Sequence, residues 1–230
     1  MGCGCSIKSG ELAGPGCIAL VPIFGALSPE EMMEIAAITR DKRFEKGELI
    51  YFAGKEGKKL YVLHAGRVKI SRIGPSGKTQ VIRVIGPGEF LGELSILSQA
   101  NLSDYAEALE PCTACMIEGP RLKELMKKYP SIALKIMEEL SARLEKAETL
   151  IEDINLRSAE ARLAQALLSE AGIRREFELS LAKGDFASRL GMTQETLSRK
   201  LALFQDQGLI RLNGQRGIFI LDEKGLAAIE

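Results

Sequence analysis

Residues 182–208 read AKGDFASRLGMTQETLSRKLALFQDQG, and this stretch decides the fold of the C-terminal third. Two short helical patterns meet at Gly191, a residue that permits the left-handed turn two angled helices need. Phe186 and Leu190 are the apolar positions of the first pattern. Thr193 is placed to cap the second, whose Leu197, Leu201 and Phe204 form an inner face at i, i+4 and i+7. The opposite face carries Glu195, Ser198 and Arg199 at i, i+3 and i+4. Arginine grips guanine O6 and N7, glutamate accepts from cytosine N4, and serine adapts to either. Three polar residues alone would equally describe a solvated face, but the next segment adds a second signal. Residues 209–212 and 218–221 are short, largely apolar segments flanking Asn213-Gly214, a hairpin signature. Helix, turn, helix and hairpin predict a winged helix-turn-helix that reads double-stranded DNA.

Working outward, Met137, Leu140, Leu144, Ala147, Ile151 and Ile154 recur at spacings of 3, 4, 3, 4 and 3. That is a heptad seam, with Glu138, Glu139, Arg143, Glu145, Lys146 and Glu148 lying off it. A helix packed only on its own domain does not require six positions in register. The six seam residues are therefore expected at the interface of a two-stranded homodimer, with residues 155–158 as the hinge into the DNA-binding domain. Between residues 44 and 117 the texture changes to short segments such as LIYFAG, KKLYVLHAGRVKISRIG, GKTQVIRVIG and GEFLGEL, punctuated by glycine turns. Short strands at this spacing predict an antiparallel barrel or roll. A helix is expected from Ser28, with Pro29 at its first position. The opening MGCGCSIKSGELAGPGC reads as a flexible, glycine-rich arm. The expected class is α+β: an arm over 1–17, an antiparallel β-roll over 18–126, a dimerisation helix over 127–155 and a winged helix-turn-helix over 156–230.

Composition bounds these expectations. The chain has 230 residues and zero formal net charge, so it is no basic-arm nucleic-acid binder and any DNA-binding face is local. Residues 174–216 hold eight Lys/Arg against five Asp/Glu, a modest surplus that a dimer would double. No apolar run approaches the about 20 residues of a membrane span, and the N-terminus lacks a charged start followed by an apolar core. The expected location is the cytoplasm, where cysteines more often serve metal or redox chemistry than structural disulfides. With a single histidine and no nucleophile or phosphate motif, no enzyme constellation is present.

Four further pieces carry a family resemblance: GEFLGEL at 88–94, YAEALE at 105–110, AEARLA at 159–164 and ETLSR at 195–199. In this order, with a roll, a long helix and a winged helix-turn-helix, the chain resembles the Crp/Fnr family of bacterial transcription regulators over nearly its whole length. The ETLSR segment is similar to the reading helix of the Fnr branch, which recognises TTGAT-type half-sites. The resemblance makes Glu195, Ser198 and Arg199 the base readers, with Thr193 and Gln194 beside them in the DNA-binding set. It also implies a homodimer and RNA polymerase as a partner.

The resemblance offers two kinds of signal. In cyclic-nucleotide-binding relatives a Gly-Glu pair meets the ribose and an Arg-Ser pair holds the cyclic phosphate. Gly92 and Glu93 match the first pair, but residues 84–120 contain no arginine, which speaks against cyclic AMP. Arg72 or Arg83 is left to supply charge from another direction. Oxygen-sensing Fnr proteins hold a [4Fe–4S] cluster on N-terminal cysteines and one late in the roll. By that resemblance Cys3, Cys5, Cys17 and Cys115 are the expected ligands, and Cys112 is a fifth thiol. Here eleven residues separate the Cys3-x-Cys5 pair from Cys17, a looser spacing than in the family. A disulfide switch between the arm and Cys112 or Cys115, zinc on four thiolates, and buried inert thiols stay open as alternatives, as does a small effector bound in the roll. His64, in the strand LYVLHAGRVKI, is expected to be a packed or half-exposed strand residue rather than a haem ligand.

Overall fold

The computed structural model describes residues 21–25 and 27–229. Its contacts divide the chain into two compact units, one built on Ile82–Ala142 with the chain up to Arg72, the other on Ile73–Val81 with the chain from Arg143 onward.

In the first unit a 3-10 turn at Pro22–Phe24 leads into helix α1 (Pro29–Ile38). The helix starts after Ser28 with Pro29 in its first turn, as the sequence predicts, and Ser28 and Glu31 close a reciprocal capping box there. Strands β1 (Arg40–Phe44), β2 (Leu49–Tyr51), β3 (Lys59–Ala65), β4 (Val68–Ile73), β5 (Thr79–Ile85) and β6 (Phe90–Leu91) follow. Helix α2 (Glu93–Ser98), strands β7 (Tyr105–Ala108) and β8 (Cys112–Glu118), and helix α3 (Gly119–Lys128) complete the roll. The strands form two four-stranded sheets, in the orders β1-β8-β3-β6 and β2-β7-β4-β5. Leu63, Ile70, Ile85, Leu91, Ala106, Ala108, Cys112 and Ala114 pack into one core. A second core joins Leu60, Val62 and Ile117 to Ile35 of α1, Leu122 and Leu125 of α3, and Ile132 and Ile136 of the next helix. The sheet β1-β8-β3-β6 thus contributes its two faces to two different cores, because neighbouring residues of a strand point opposite ways.

The YAEALE motif illustrates the alternation. Ala106 and Ala108 are fully buried, whereas Glu107 stands opposite Lys69 on β4 and pairs with it at 3.1 Å. Glu110, just beyond the strand, takes a two-pronged contact from Arg67 at 3.2 and 3.0 Å. These hydrogen bonds hold its carboxyl below the usual carboxylate range.

Helix α4 spans Pro130–Leu156. Ile132 and Ile136 face the roll's helical core, and Leu140 is partly buried against it. Met137, Leu144 and Ile151 are 54%, 60% and 62% exposed, one apolar position every seven residues. Ala147 is exposed and Ile154 also lies open.

The second unit continues through α5 (Ala159–Ala171), β9 (Glu176–Glu178), α6 (Lys183–Arg189) and α7 (Gln194–Asp206). Strands β10 (Ile210–Asn213) and β11 (Gly217–Ile220) and helix α8 (Glu223–Ala227) end it. The predicted hairpin forms, but its first turn residue is paired: Asn213 stands opposite Gly217, leaving a loop of residues 214–216. Strand β9 adds a third strand against β11, giving the order β10-β11-β9. Leu163, Leu167, Phe186, Leu197, Leu201, Phe204, Ile210 and Ile218 are buried in this unit. Among the described residues no helix is long and apolar enough to cross a membrane.

Candidate nucleic-acid interface and the thiols of the roll

Helix α6 ends at a tight turn whose Gly191 has φ +68°, and the Met192 N–H donates back to the Ala187 carbonyl at 3.0 Å. A Cβ on Gly191 would also stand 3.3 Å from Ile154 Cδ1, so both backbone and packing favour glycine there. Thr193 caps α7: its Oγ1 accepts from the Thr196 N–H at 3.1 Å. Leu197, Leu201 and Phe204 are buried, which turns the other side of α7 outward. Glu195, Ser198 and Arg199 lie together on that side, and Thr193 and Gln194 are exposed at its N-terminal end. Glu195 and Arg199 form an i, i+4 ion pair with side chains 73% and 74% exposed. The guanidinium is therefore held to the carboxylate one turn back, and surface exposure keeps that tether weak.

Other cations of the domain are committed internally. Arg189 binds Glu170 at 3.1 Å and stacks over Phe186, and Glu170 also receives the Ser180 hydroxyl at 2.8 Å. Lys200 pairs with Glu160, whose carboxyl it holds below the usual range, and Arg216 donates to the Leu179 carbonyl. Arg162 was not singled out in the sequence beyond its motif. Its guanidinium reaches the carbonyls of Ile154, Arg157 and Leu190 at 3.2, 3.0 and 3.2 Å. It thus ties the end of α4 and Arg157 to the turn before α7. The signal for it was AEARLA, whose lone arginine follows the Ser158 cap of α5.

In the roll, Gly92 has φ +89°, and a Cβ there would meet the Lys59 carbonyl oxygen at 2.3 Å. Glu93 is 1% exposed and pairs with Arg83 at 3.5 Å. The Gly-Glu pair is thus used by the fold itself, and Arg83 from β5 supplies the charge that residues 84–120 lack. Arg72 instead contacts Ser103 at 3.0 Å.

The two described cysteines differ. Cys112 belongs to the core that holds Leu63 and Ala114, with its thiol donating to the carbonyls of Glu110 and Arg67 at 3.1 and 3.4 Å. Burial pushes its pKa up. Cys115, three residues on in the same strand, points to the opposite face. Its Sγ donates to Asp41 Oδ1 at 3.3 Å. The ring of His64 completes a group whose ligand atoms all lie within 4.8 Å of one another. Cys3, Cys5 and Cys17 lie outside the described residues.

Two family models match the chain: a cyclic nucleotide-binding domain over residues 41–129 and a Crp-like helix-turn-helix domain over residues 161–229. The chain is 31% identical over 202 residues to a probable transcriptional regulator, flp, of Lacticaseibacillus casei, covering 87% of this chain and 92% of that one. It is 30% identical over 199 residues to the fumarate and nitrate reduction regulatory protein of Salmonella typhi, with coverages of 84% and 79%. Its fold is similar to that of the c-di-GMP responsive regulator CLP of Xanthomonas campestris, with a TM-score of 0.77 at 19% identity over 84% of this chain and 99% of that one. Roll, capped reading helix, wing and these relatives together place the chain among the DNA-binding transcription regulators of the Crp/Fnr family, which are not enzymes.

Proposed function

We propose that the chain works as a homodimer that reads an inverted repeat with TTGAT-like half-sites and is controlled through its cysteines. The observation that carries the first part is the outward triad of Glu195, Ser198 and Arg199 at the capped N-terminus of α7. Two such helices on a two-fold dimer enter successive major grooves about 34–36 Å apart. Arg199 takes a guanine, Glu195 a cytosine amino group, and Ser198 adjusts to either neighbour, while Thr193 and Gln194 sit where the helix N-terminus meets phosphate. The exposed stripe of Met137, Leu144 and Ile151, with Ala147 and Ile154 alongside, supports the dimer, and Leu140 bridges it to the roll. RNA polymerase is the partner such a promoter-bound dimer would recruit or block, and the cytoplasm is its place of action. Substituting Arg199→Ala should relax the guanine preference and cost about 1–3 kcal/mol per half-site contact. A binding titration across half-site variants checks this. Unchanged selectivity would remove Arg199 from the base readers.

The signal is assigned to Cys115 rather than to cyclic AMP. A [4Fe–4S] cluster takes four thiolates, and of its expected ligands Cys115 alone is among the described residues. Its neighbours Asp41 and His64 bring an oxygen and nitrogens instead of a second thiol, and Cys112 faces the other way. Among the described residues these neighbours supply no second thiolate, and Cys3, Cys5 and Cys17 would have to supply the rest. The relative named for fumarate and nitrate reduction supports redox control as the class of signal. DNA affinity should respond to oxidant in the native chain and lose that response in Cys115→Ser. An equal response in both would move the control elsewhere.

A further inference from the structure

Asp41, His64 and Cys115 are far apart in sequence but meet on three adjacent strands. Asp41 of β1 stands directly opposite Cys115 of β8, and Cys115 is in turn opposite Val62 of β3. The β3–β8 register then slips between Leu63 and Ala65, leaving His64 as the extra residue of a bulge. Bulges re-aim side chains, and this one puts the imidazole beside the thiol and the carboxylate. A nitrogen, a sulfur and an oxygen donor then lie within 4.8 Å of one another. Both ring nitrogens of His64 are buried and have no hydrogen-bond partner among the described residues, an expensive state for a polar ring unless a ligand completes it. Asp41 is only partly covered, which leaves an entry path from solvent.

We propose that Asp41, His64 and Cys115 bind a single divalent transition-metal ion, with Zn2+ the best match, in a four-coordinate site completed by water. Thiolate, imidazole and carboxylate together are a borderline-soft set that suits Zn2+ and leaves Mg2+ and Ca2+ poorly served. Metal–donor bonds of about 2.0–2.3 Å place tetrahedral donors about 3.3–3.8 Å apart. The Cys115–Asp41 distance is already 3.3 Å, so the imidazole needs only a small adjustment. Binding replaces the thiol proton: Cys115–SH and M2+ give Cys115–S–M+ and one proton, which leaves past the partly exposed carboxylate. No electron is transferred. The proposal rests on taking Cys115 as the roll's reactive thiol, and it names the chemistry there.

The test uses the full chain, stripped with chelator, handled anaerobically and titrated with Co2+ as the optical probe before Zn2+ displaces it. The expected result is one ion per chain, a thiolate-to-cobalt charge-transfer band, tetrahedral bands in the visible and one proton released. Asp41→Asn, His64→Gln and Cys115→Ser should each weaken binding by more than the about 10–100-fold that loss of a supporting group costs. Cys112→Ser and the combined Cys3→Ser, Cys5→Ser, Cys17→Ser chain should bind as the native protein does. Circular dichroism checks that each variant folds, and His64→Cys, which restores a ligand, should bind Co2+ with an intensified charge-transfer band. Full binding in folded His64→Gln or Asp41→Asn, or loss of binding in the chain lacking the three N-terminal cysteines, would overturn the site. Iron with acid-labile sulfide instead of a single ion would also overturn it. The two proposals fail separately: oxidant-sensitive DNA binding without Co2+ uptake removes the metal site and keeps thiol control. Co2+ uptake that leaves DNA affinity unchanged upholds the site and removes its role in control.

Discussion

At the scale of single residues, a shift of three positions along one strand separates two thiols that look alike in sequence. Cys112 and Cys115 both lie in β8 and both are buried. The parity of the strand sends one into the core of Leu63 and Ala114 and the other toward Asp41 and His64. Because burial raises the Cys112 pKa, its thiolate is scarce at neutral pH, and thiolate is the reactive form. A chain retaining Cys112 as its sole cysteine should therefore alkylate slowly when native and rapidly in denaturant. Mass spectrometry of timed iodoacetamide reactions measures this, and fast native labelling would contradict the buried placement. Gly92 offers a second check. With φ +89° and the Lys59 carbonyl where a Cβ would go, Gly92→Ala should cost about 1–3 kcal/mol, read from urea unfolding followed through the roll.

At the scale of elements, the DNA-reading unit depends on Arg162. One guanidinium serves three carbonyls, at Ile154, Arg157 and Leu190, which are otherwise end-of-helix acceptors. Arg162→Ala should lower the stability of this unit by about 1.5–3 kcal/mol, as expected for hydrogen bonds to a charged group. Arg162→Lys should recover only part of that, because an ammonium lacks the planar fork. Thermal unfolding followed by DNA-binding competence distinguishes the three proteins. Equal midpoints would show that the carbonyls are satisfied without the arginine. Strand β1 carries a different lesson. RDKRF has no apolar alternation to mark it as a strand, yet it pairs over five residues with β8. It is an edge strand, and charged residues are what edge strands tolerate and use.

At the scale of the whole molecule, association is expected to run through the seam of α4. Burying an exposed leucine or isoleucine contributes about 1.5–3 kcal/mol, and Leu144 and Ile151 each occur twice in a dimer. Metal-free, reduced protein at micromolar concentration should therefore sediment as a dimer, since the seam carries no charge to be desolvated. The double variant Leu144→Glu, Ile151→Glu should sediment as a monomer and lose its preference for paired half-sites. A native monomer in the first experiment would contradict the seam. The net charge of zero fits an interface built locally. Because Arg189, Lys200 and Arg216 are engaged within the domain, the salt dependence of DNA binding should be shallower than a count of basic residues implies.

Local pattern alone dictates much of this protein. The helix start at Ser28, the Thr193 cap, the glycine turn at 191, the inner face of Leu197, Leu201 and Phe204, and the strand-rich roll all follow from short-range rules of period and capping. These signals lie within a few residues of one another, so the chain announces them directly. The third wing strand, β9, was not legible because three residues, EFE, carry no period. The meeting of Asp41, His64 and Cys115 was hidden for a deeper reason. It depends on which strands become neighbours and on a one-residue slip in their register. The same slip turns His64 from one more strand residue into a ring beside a thiol. Sequence period determined which face of each strand is buried, and only the long-range pairing of β1, β8 and β3 decided which donors share that face.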